Sequence, residues 1–145
     1  MGNTKLGKGM KLELAVDRRG RPLALLSAPA NVAETKLAEP VLAEVEGELS
    51  SGASVLADRG YDSDPLRKAL AGRGLRLVAA HRKNRTKSRT NDGRRLRRLR
   101  RRWVVERTFG RLKQFRRLDV RREYYSAIFH GFAQLACLAV AVRRF

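Results

Sequence analysis

Two of the fourteen carboxylates in this chain stand where chemistry, rather than solubility, needs an acid. Asp58 ends the apolar run Val55-Leu56-Ala57 and leads into Arg59-Gly60-Tyr61-Asp62. A carboxylate at the carboxyl end of a covered strand lies where open α/β sheets place their sites. The plainer alternative is an Asp that starts a turn by capping a backbone amide. Glu106 is the only acid between Gly93 and Leu118, a segment with eleven arginines and Lys113. At about 100° per residue, Arg95, Arg102, Glu106 and Lys113 share one stripe of a helix. Its plainer alternative is an Arg102–Glu106 ion pair four residues apart, worth a few tenths of a kcal/mol on a surface. A pair of such acids suits phosphoryl transfer. Two divalent ions about 3.5–4 Å apart activate the attacking hydroxyl and stabilise the leaving oxygen, and magnesium prefers hard oxygen ligands. Arg95, Arg102, Arg107, Arg111 and Lys113 would then hold the phosphodiester track beside them.

The elements that must position these residues can be read from periodicity. Leu12, Leu14 and Val16 alternate with polar neighbours over Lys11–Asp17, Arg18-Arg19-Gly20-Arg21-Pro22 is turn chemistry, and Leu23–Ala28 returns, so a hairpin is expected. Leu37, Val41, Leu42 and Val45 suggest one helix over Asn31–Glu48, and Ser54–Asp58 reads as a strand covered on both faces. Asp64-Pro65 should open a helix, with Asp64 as its cap, that runs to about Ala71. Leu75–Ala80 reads as a further strand, and 81–93, polar and basic without period, as a mobile loop. One long helix over Arg94 to about Arg117 and another over Tyr124–Val142 complete the chain. The order β-β-α-β-α-β followed by helices implies an α/β fold with a mixed sheet, in one domain of 145 residues.

Composition narrows the partner. The formal charge is +19 and the pI about 11.5. Residues 1–72 hold ten Lys/Arg and ten Asp/Glu, whereas 73–145 hold twenty-three and four, so the second half carries all of the charge. A polyanion, nucleic acid before membrane, is the natural partner for that half. The single cysteine, Cys137, excludes a disulfide framework and a multi-cysteine zinc site, and reads as a core residue. Met1–Lys11 lacks the apolar core of a signal peptide. Tyr124–Val142 approaches the length of a membrane span, but His130 and Gln134 interrupt it, and a helix against a core explains it better. His81 and His130 lack metal-ligand company in sequence, and Gly7 and Gly9 lack the context of a phosphate loop.

Several segments in order carry a family resemblance: Thr4-Lys5-Leu6-Gly7-Lys8-Gly9; Ala15-Val16-Asp17 with Gly20-Arg21-Pro22-Leu23; Leu56-Ala57-Asp58-Arg59-Gly60-Tyr61-Asp62; Arg102-Trp103-Val104-Val105-Glu106-Arg107-Thr108-Phe109; and Phe115-Arg116-Arg117-Leu118. With them the chain resembles the DDE-type transposases of bacterial insertion sequences, in the insertion-sequence-five-like branch. The resemblance implies a ribonuclease-H-like fold and DNA cleavage and strand transfer at transposon ends with magnesium or manganese. It implies that Asp58 is the second catalytic Asp and Glu106 the catalytic Glu, both metal ligands. It sets the Arg-x₃-Glu-x₆-Lys signature on Arg102, Glu106 and Lys113, the Lys contacting DNA near the cleaved end; Leu99 stands where a Tyr often precedes that Arg. The family's first catalytic Asp lies on a strand ahead of the Lys-Leu-Gly-Lys segment. The expectation is therefore a C-terminal portion, without that first strand and inactive alone, with Asp17 a poor substitute at its turn. Implied partners are transposon-end and target DNA and a second copy or an upstream transposase segment, in the bacterial cytoplasm at the nucleoid, with no membrane. A basic DNA- or RNA-binding protein that does not cut is the alternative. The catalytic reading requires Asp58 and Glu106 within about 10 Å of each other, given the spacing of a two-metal site.

Overall fold

The computed structural model describes residues 2–4, 7–88 and 92–143, with side chains from Gly9 onward. Lys5, Leu6 and residues 89–91 of the basic loop therefore lie outside the described residues.

Strand β2 (Gly7–Val16) pairs antiparallel with β1 (Gly2–Thr4) at its start and with β3 (Pro22–Pro29) along most of its length. The expected hairpin is present, with Leu14 opposite Leu25 and Ala15 opposite Ala24. Its alternation sorts the side chains onto two faces. Leu12, Leu14, Val16 and Leu25 face one apolar cluster, and Ala15, Ala24 and Leu26 face another. Gly20, at φ 81°, makes the turn that an L side chain would strain. Asp17 clamps that turn: Oδ1 accepts from the Arg19 and Arg21 amides at 2.8 and 2.9 Å, and Oδ2 pairs with Arg21 Nε at 2.6 Å.

The remaining strands, β4 (Ser54–Leu56) and β5 (Arg76–Val78), pair parallel in a sheet of their own. The chain is α/β, but its strands form two small sheets where one mixed sheet was expected. Helix α1 (Ala38–Ala43) and α2 (Asp64–Gly72) share a core with β5 and one face of the hairpin, through Val41, Leu42, Leu66, Leu70 and Leu77. The helix expected over Asn31–Glu48 is broken into α1 and flanking 3₁₀ turns at Glu34–Lys36 and Glu46–Glu48. Pro40 explains the late start. It lacks an amide proton and would clash with the carbonyl four residues back, so it is tolerated only in the first turn. Ser63, not Asp64, caps α2, its hydroxyl accepting from the Leu66 amide at 3.4 Å.

The long arginine helix is also subdivided, into α3 (Gly93–Leu96), a 3₁₀ segment over Arg97–Arg102, α4 (Trp103–Leu112) and α5 (Arg116–Asp119). Phe109, Leu112, Phe115 and Leu118 all pack in the second core cluster. At three-residue spacing a continuous α-helix would swing them about 60° per step, putting Leu118 opposite Phe109. The extended backbone at Phe115 (ψ 111°) resets the phase so that all four face inward. Helix α6 (Ser126–Val142) closes that cluster with Ala133, Ala136, Cys137 and Val140, and Phe129 is buried on the same face at helical spacing. Ile128, Leu135, Leu138 and Val142 project from its other side. No helix of the described residues is long and apolar enough to cross a membrane.

Candidate active site

Asp58 leaves β4 in extended conformation and caps the 3₁₀ turn Arg59–Tyr61, its Oδ1 accepting from the Gly60 amide at 2.6 Å. The capping role considered for it is thus real, but it occupies one oxygen. Oδ2 faces Arg102 Nη1 at 3.6 Å. β4 is only partly covered, and the Asp58 side chain is 48% exposed, so the expectation of a strand buried on both faces is corrected. Gly60 leaves room for two carboxylates: a Cβ there would push the Glu34 carboxylate aside and lie 2.9 Å from Asp58 Oδ1.

Glu106 stands in the first turn of α4, its side chain 64% exposed, and its Oε1 accepts from Arg102 Nη2 at 3.0 Å. The four-residue ion pair is therefore present too. One guanidinium joins both acids. Its terminal nitrogens are at most about 2.7 Å apart, so Asp58 Oδ2 and Glu106 Oε1 are separated by no more than about 9 Å. That separation meets the condition set from sequence.

Helical geometry explains why Arg102 reaches both. In a 3₁₀ segment residues three apart eclipse, so Leu96, Leu99 and Arg102 line up on one side, while Arg98 ties the same segment to β4 through Ser54 Oγ at 2.9 Å. Beyond Arg102 the α-helix resumes, and four-residue spacing sets Glu106 beside it. Thr108 locks α4 down. It is fully buried, its hydroxyl 2.9 Å from the Gly20 carbonyl and 3.0 Å from that of Val104.

The basic stripe expected from sequence does not survive whole. A 3₁₀ turn advances about 20° more per residue than an α turn, so the six residues Arg97–Arg102 add roughly 120° and turn Arg95 away from the Glu106 line. Arg107 is engaged elsewhere: it stacks 4.4 Å over Trp103 and donates to the Arg19 carbonyl at 3.2 Å, fastening α4 to the hairpin. Arg111 is half-buried and Lys113, the C-cap of α4, is exposed about 10 Å along the axis from Glu106.

Sequence reasoning missed the groups that hold the Asp58 turn. Tyr61 donates a short hydrogen bond to Glu13 of β2. Burial raises the Glu13 pKa, against that hydrogen bond and with Glu34 adding to it; burial and Glu13 together push the Tyr61 phenol up as well. Asp62, only 2% exposed, accepts from Arg67 Nη2 at 2.8 Å, pairs with His81 Nδ1 at 2.9 Å and accepts from the Arg82 amide at 2.8 Å. Burial alone would raise its pKa, but these hydrogen bonds outweigh that and bring it down to about 2. Arg85 pairs with Asp64 at 2.9 Å, so the segment read as a mobile loop has partners at His81, Arg82 and Arg85. The signal was Asp62 itself, four residues past Asp58 in the same motif. Asp17 is committed to its turn: burial opposes ionisation, but hydrogen bonds from Arg21 and Arg19 hold its pKa below the ordinary value.

Asp58 and Glu106 offer hard carboxylate oxygens, partly open to solvent and facing one cation, a donor set that fits magnesium or manganese. Among the described residues, no three of His, Cys, Asp and Glu gather into a group able to hold an ion. Two carboxylates alone would make up only part of such a ligand set.

Comparison with known proteins identifies the family of the chain. The chain matches the family described as Transposase DDE domain over residues 1–141. It is 39% identical over 139 residues to "Putative transposase for insertion sequence element IS402" of Burkholderia cepacia, covering 91% of this chain and 62% of that protein. To its counterpart for IS6501 of Brucella ovis it is 33% identical over 135 residues, covering 92% of this chain and 98% of that one. The chain thus spans less than two thirds of the Burkholderia relative and nearly all of the Brucella one. No solved structure matches. With the match running over all but the last few residues, the chain belongs to the DDE-type transposases of insertion sequences.

Proposed function

We propose that this chain supplies two of the carboxylates of a two-metal centre that cleaves DNA and transfers strands at transposon ends, within a ribonuclease-H-like arrangement. The observation that carries the reading is the meeting of Asp58 and Glu106, forty-eight residues apart, on one guanidinium. Magnesium or manganese bound there would activate the attacking hydroxyl and stabilise the leaving oxygen. Asp58 contributes Oδ2, because Oδ1 is held by the Gly60 amide, and Glu106 contributes its exposed carboxylate. Arg102 and Lys113 hold the phosphates that flank the scissile bond, and Arg111 and Arg95 lie further along the same basic segment. The charge concentrated in residues 73–145 keeps the duplex there, in the nucleoid of a bacterial cytoplasm.

Two acids cannot bridge two ions as the chemistry requires, and the resemblance assigns the bridging Asp to a strand ahead of Lys5–Gly9. The edges of β2 beyond Gly9 and of β4 away from β5 have no strand partner among the described residues. A strand laid on them would join the two small sheets into one. Residues 1–145 alone are then expected to bind DNA without nicking or joining it. Supplying an upstream segment that bears such an acidic strand is expected to bring cleavage.

The test is strand nicking on labelled DNA carrying the ends of the parent element, with magnesium or manganese. In the completed protein, Glu106→Gln or Asp58→Asn abolishes cutting and leaves DNA binding nearly intact. Cutting that survives both substitutions refutes the assignment and leaves a basic DNA-binding protein. Cutting by residues 1–145 alone, lost on Asp58→Asn, refutes only the need for a further acid.

A further inference from the structure

We propose that Arg102 takes the place of a divalent ion between Asp58 and Glu106, neutralising both until DNA phosphate draws it away and frees them for the metal. This rests on the reading of Asp58 and Glu106 as metal ligands. Two exposed carboxylates within about 9 Å of each other repel, and a cation between them offsets that repulsion. Arg102 supplies that cation from the fork of one guanidinium, 3.6 Å from Asp58 Oδ2 and 3.0 Å from Glu106 Oε1. It sits on the one Asp58 oxygen that the Gly60 amide leaves open, the same oxygen an incoming ion must use. Arg102 and the ion therefore compete.

The competition has an exit. The Arg102 side chain is 38% exposed, so its head group can swing outward. A guanidinium grips phosphate as well as carboxylate, through the same planar fork. Duplex DNA across the basic segment offers it such a partner, and each phosphate contact made by Arg102 leaves both carboxylates uncompensated. An approaching divalent ion then finds two anionic ligands already close. The outcome is positive coupling: DNA raises metal affinity, and by reciprocity the metal raises DNA affinity by the same factor. Two exposed ion pairs are at stake, each of the modest strength usual at a surface, so the coupling should be roughly three- to tenfold.

The experiment is manganese titration of the full chain, followed by electron paramagnetic resonance of the free ion, with and without a plain duplex oligonucleotide. Ions that condense on DNA are subtracted with the Asp58→Asn/Glu106→Gln double variant. The wild-type chain should bind manganese roughly three- to tenfold more tightly with DNA. Arg102→Gln should reach that tighter affinity without DNA and gain little from adding it. Arg102→Lys, which keeps the charge but not the fork, should fall between. Arg101→Gln removes an equal charge from the neighbouring exposed position and should behave nearly as wild type. If manganese binding is indifferent to Asp58 and Glu106, the ligand assignment fails and the proposal falls with it. If binding depends on both acids but Arg102→Gln matches Arg101→Gln, or keeps the full response to DNA, the proposal alone is overturned.

Discussion

Replacing Asp62 by asparagine tests whether one buried carboxylate organises the ground behind the Asp58 turn. The side chain is 2% exposed and gathers Arg67, His81 and the Arg82 amide, with Arg85 Nη1 at 3.6 Å. Its pKa falls from 3.8 to about 2 because those hydrogen bonds outweigh the burial penalty. A depressed folded-state pKa contributes stability that is present above the unfolded value and lost as pH falls through the folded one. At about 1.4 kcal/mol per unit, the ionised carboxylate contributes about 2 kcal/mol near neutral pH. The asparagine amide keeps the size and one acceptor but removes the negative charge that faces Arg67, 14% exposed, so the loss should be about 2–3 kcal/mol. The assay is urea unfolding followed by far-ultraviolet circular dichroism at a series of pH values. The difference between wild type and Asp62→Asn should hold from neutral pH down to about 4, then shrink as pH approaches about 2. A difference that stays constant through that acid range, or is below about 0.5 kcal/mol at neutral pH, refutes the argument.

Thr108→Val should cost about 1–2 kcal/mol in urea unfolding, because the isosteric side chain leaves the buried Gly20 carbonyl without the hydroxyl that docks α4 on the hairpin. An unchanged midpoint would mean that this hydroxyl does not hold the two together. Gly60→Ala should change stability by less than about 1 kcal/mol, since the Glu34 carboxylate can swing aside, yet weaken manganese binding by disturbing the Asp58 cap. Equal manganese affinity would show that the cap does not aim Oδ2. Burial pushes the Cys137 thiol up to about 11, so a thiol reagent near neutral pH should modify it only on unfolding, and modification of the native chain at the unfolded rate contradicts its place in the core.

The local order along the chain was legible in residue types alone. Alternation in Lys11–Asp17 and Leu23–Ala28 specifies a hairpin, because a strand's side chains have period two whatever surrounds it. The apolar spacing of Phe129, Ala133, Ala136 and Val140 likewise marks one buried face of α6. Asp58 and Glu106 stood out because one ends an apolar run and the other is the lone acid in an arginine-rich segment. What residue types did not decide was how the helical segments subdivide and where their side chains point. Periodicity cannot distinguish 3₁₀ from α over six arginine-rich positions, yet the difference turns Arg95 away and brings Arg102 over Asp58. Nor can it show that Arg107 is held by the hairpin, or that Asp62 collects partners up to twenty-three residues away. Those outcomes depend on surfaces that meet only when the chain is packed. The sequence determined which side chains could do the chemistry; packing decided which of them face each other, because a guanidinium or carboxylate goes to whichever counter-charge the tertiary fold brings within reach.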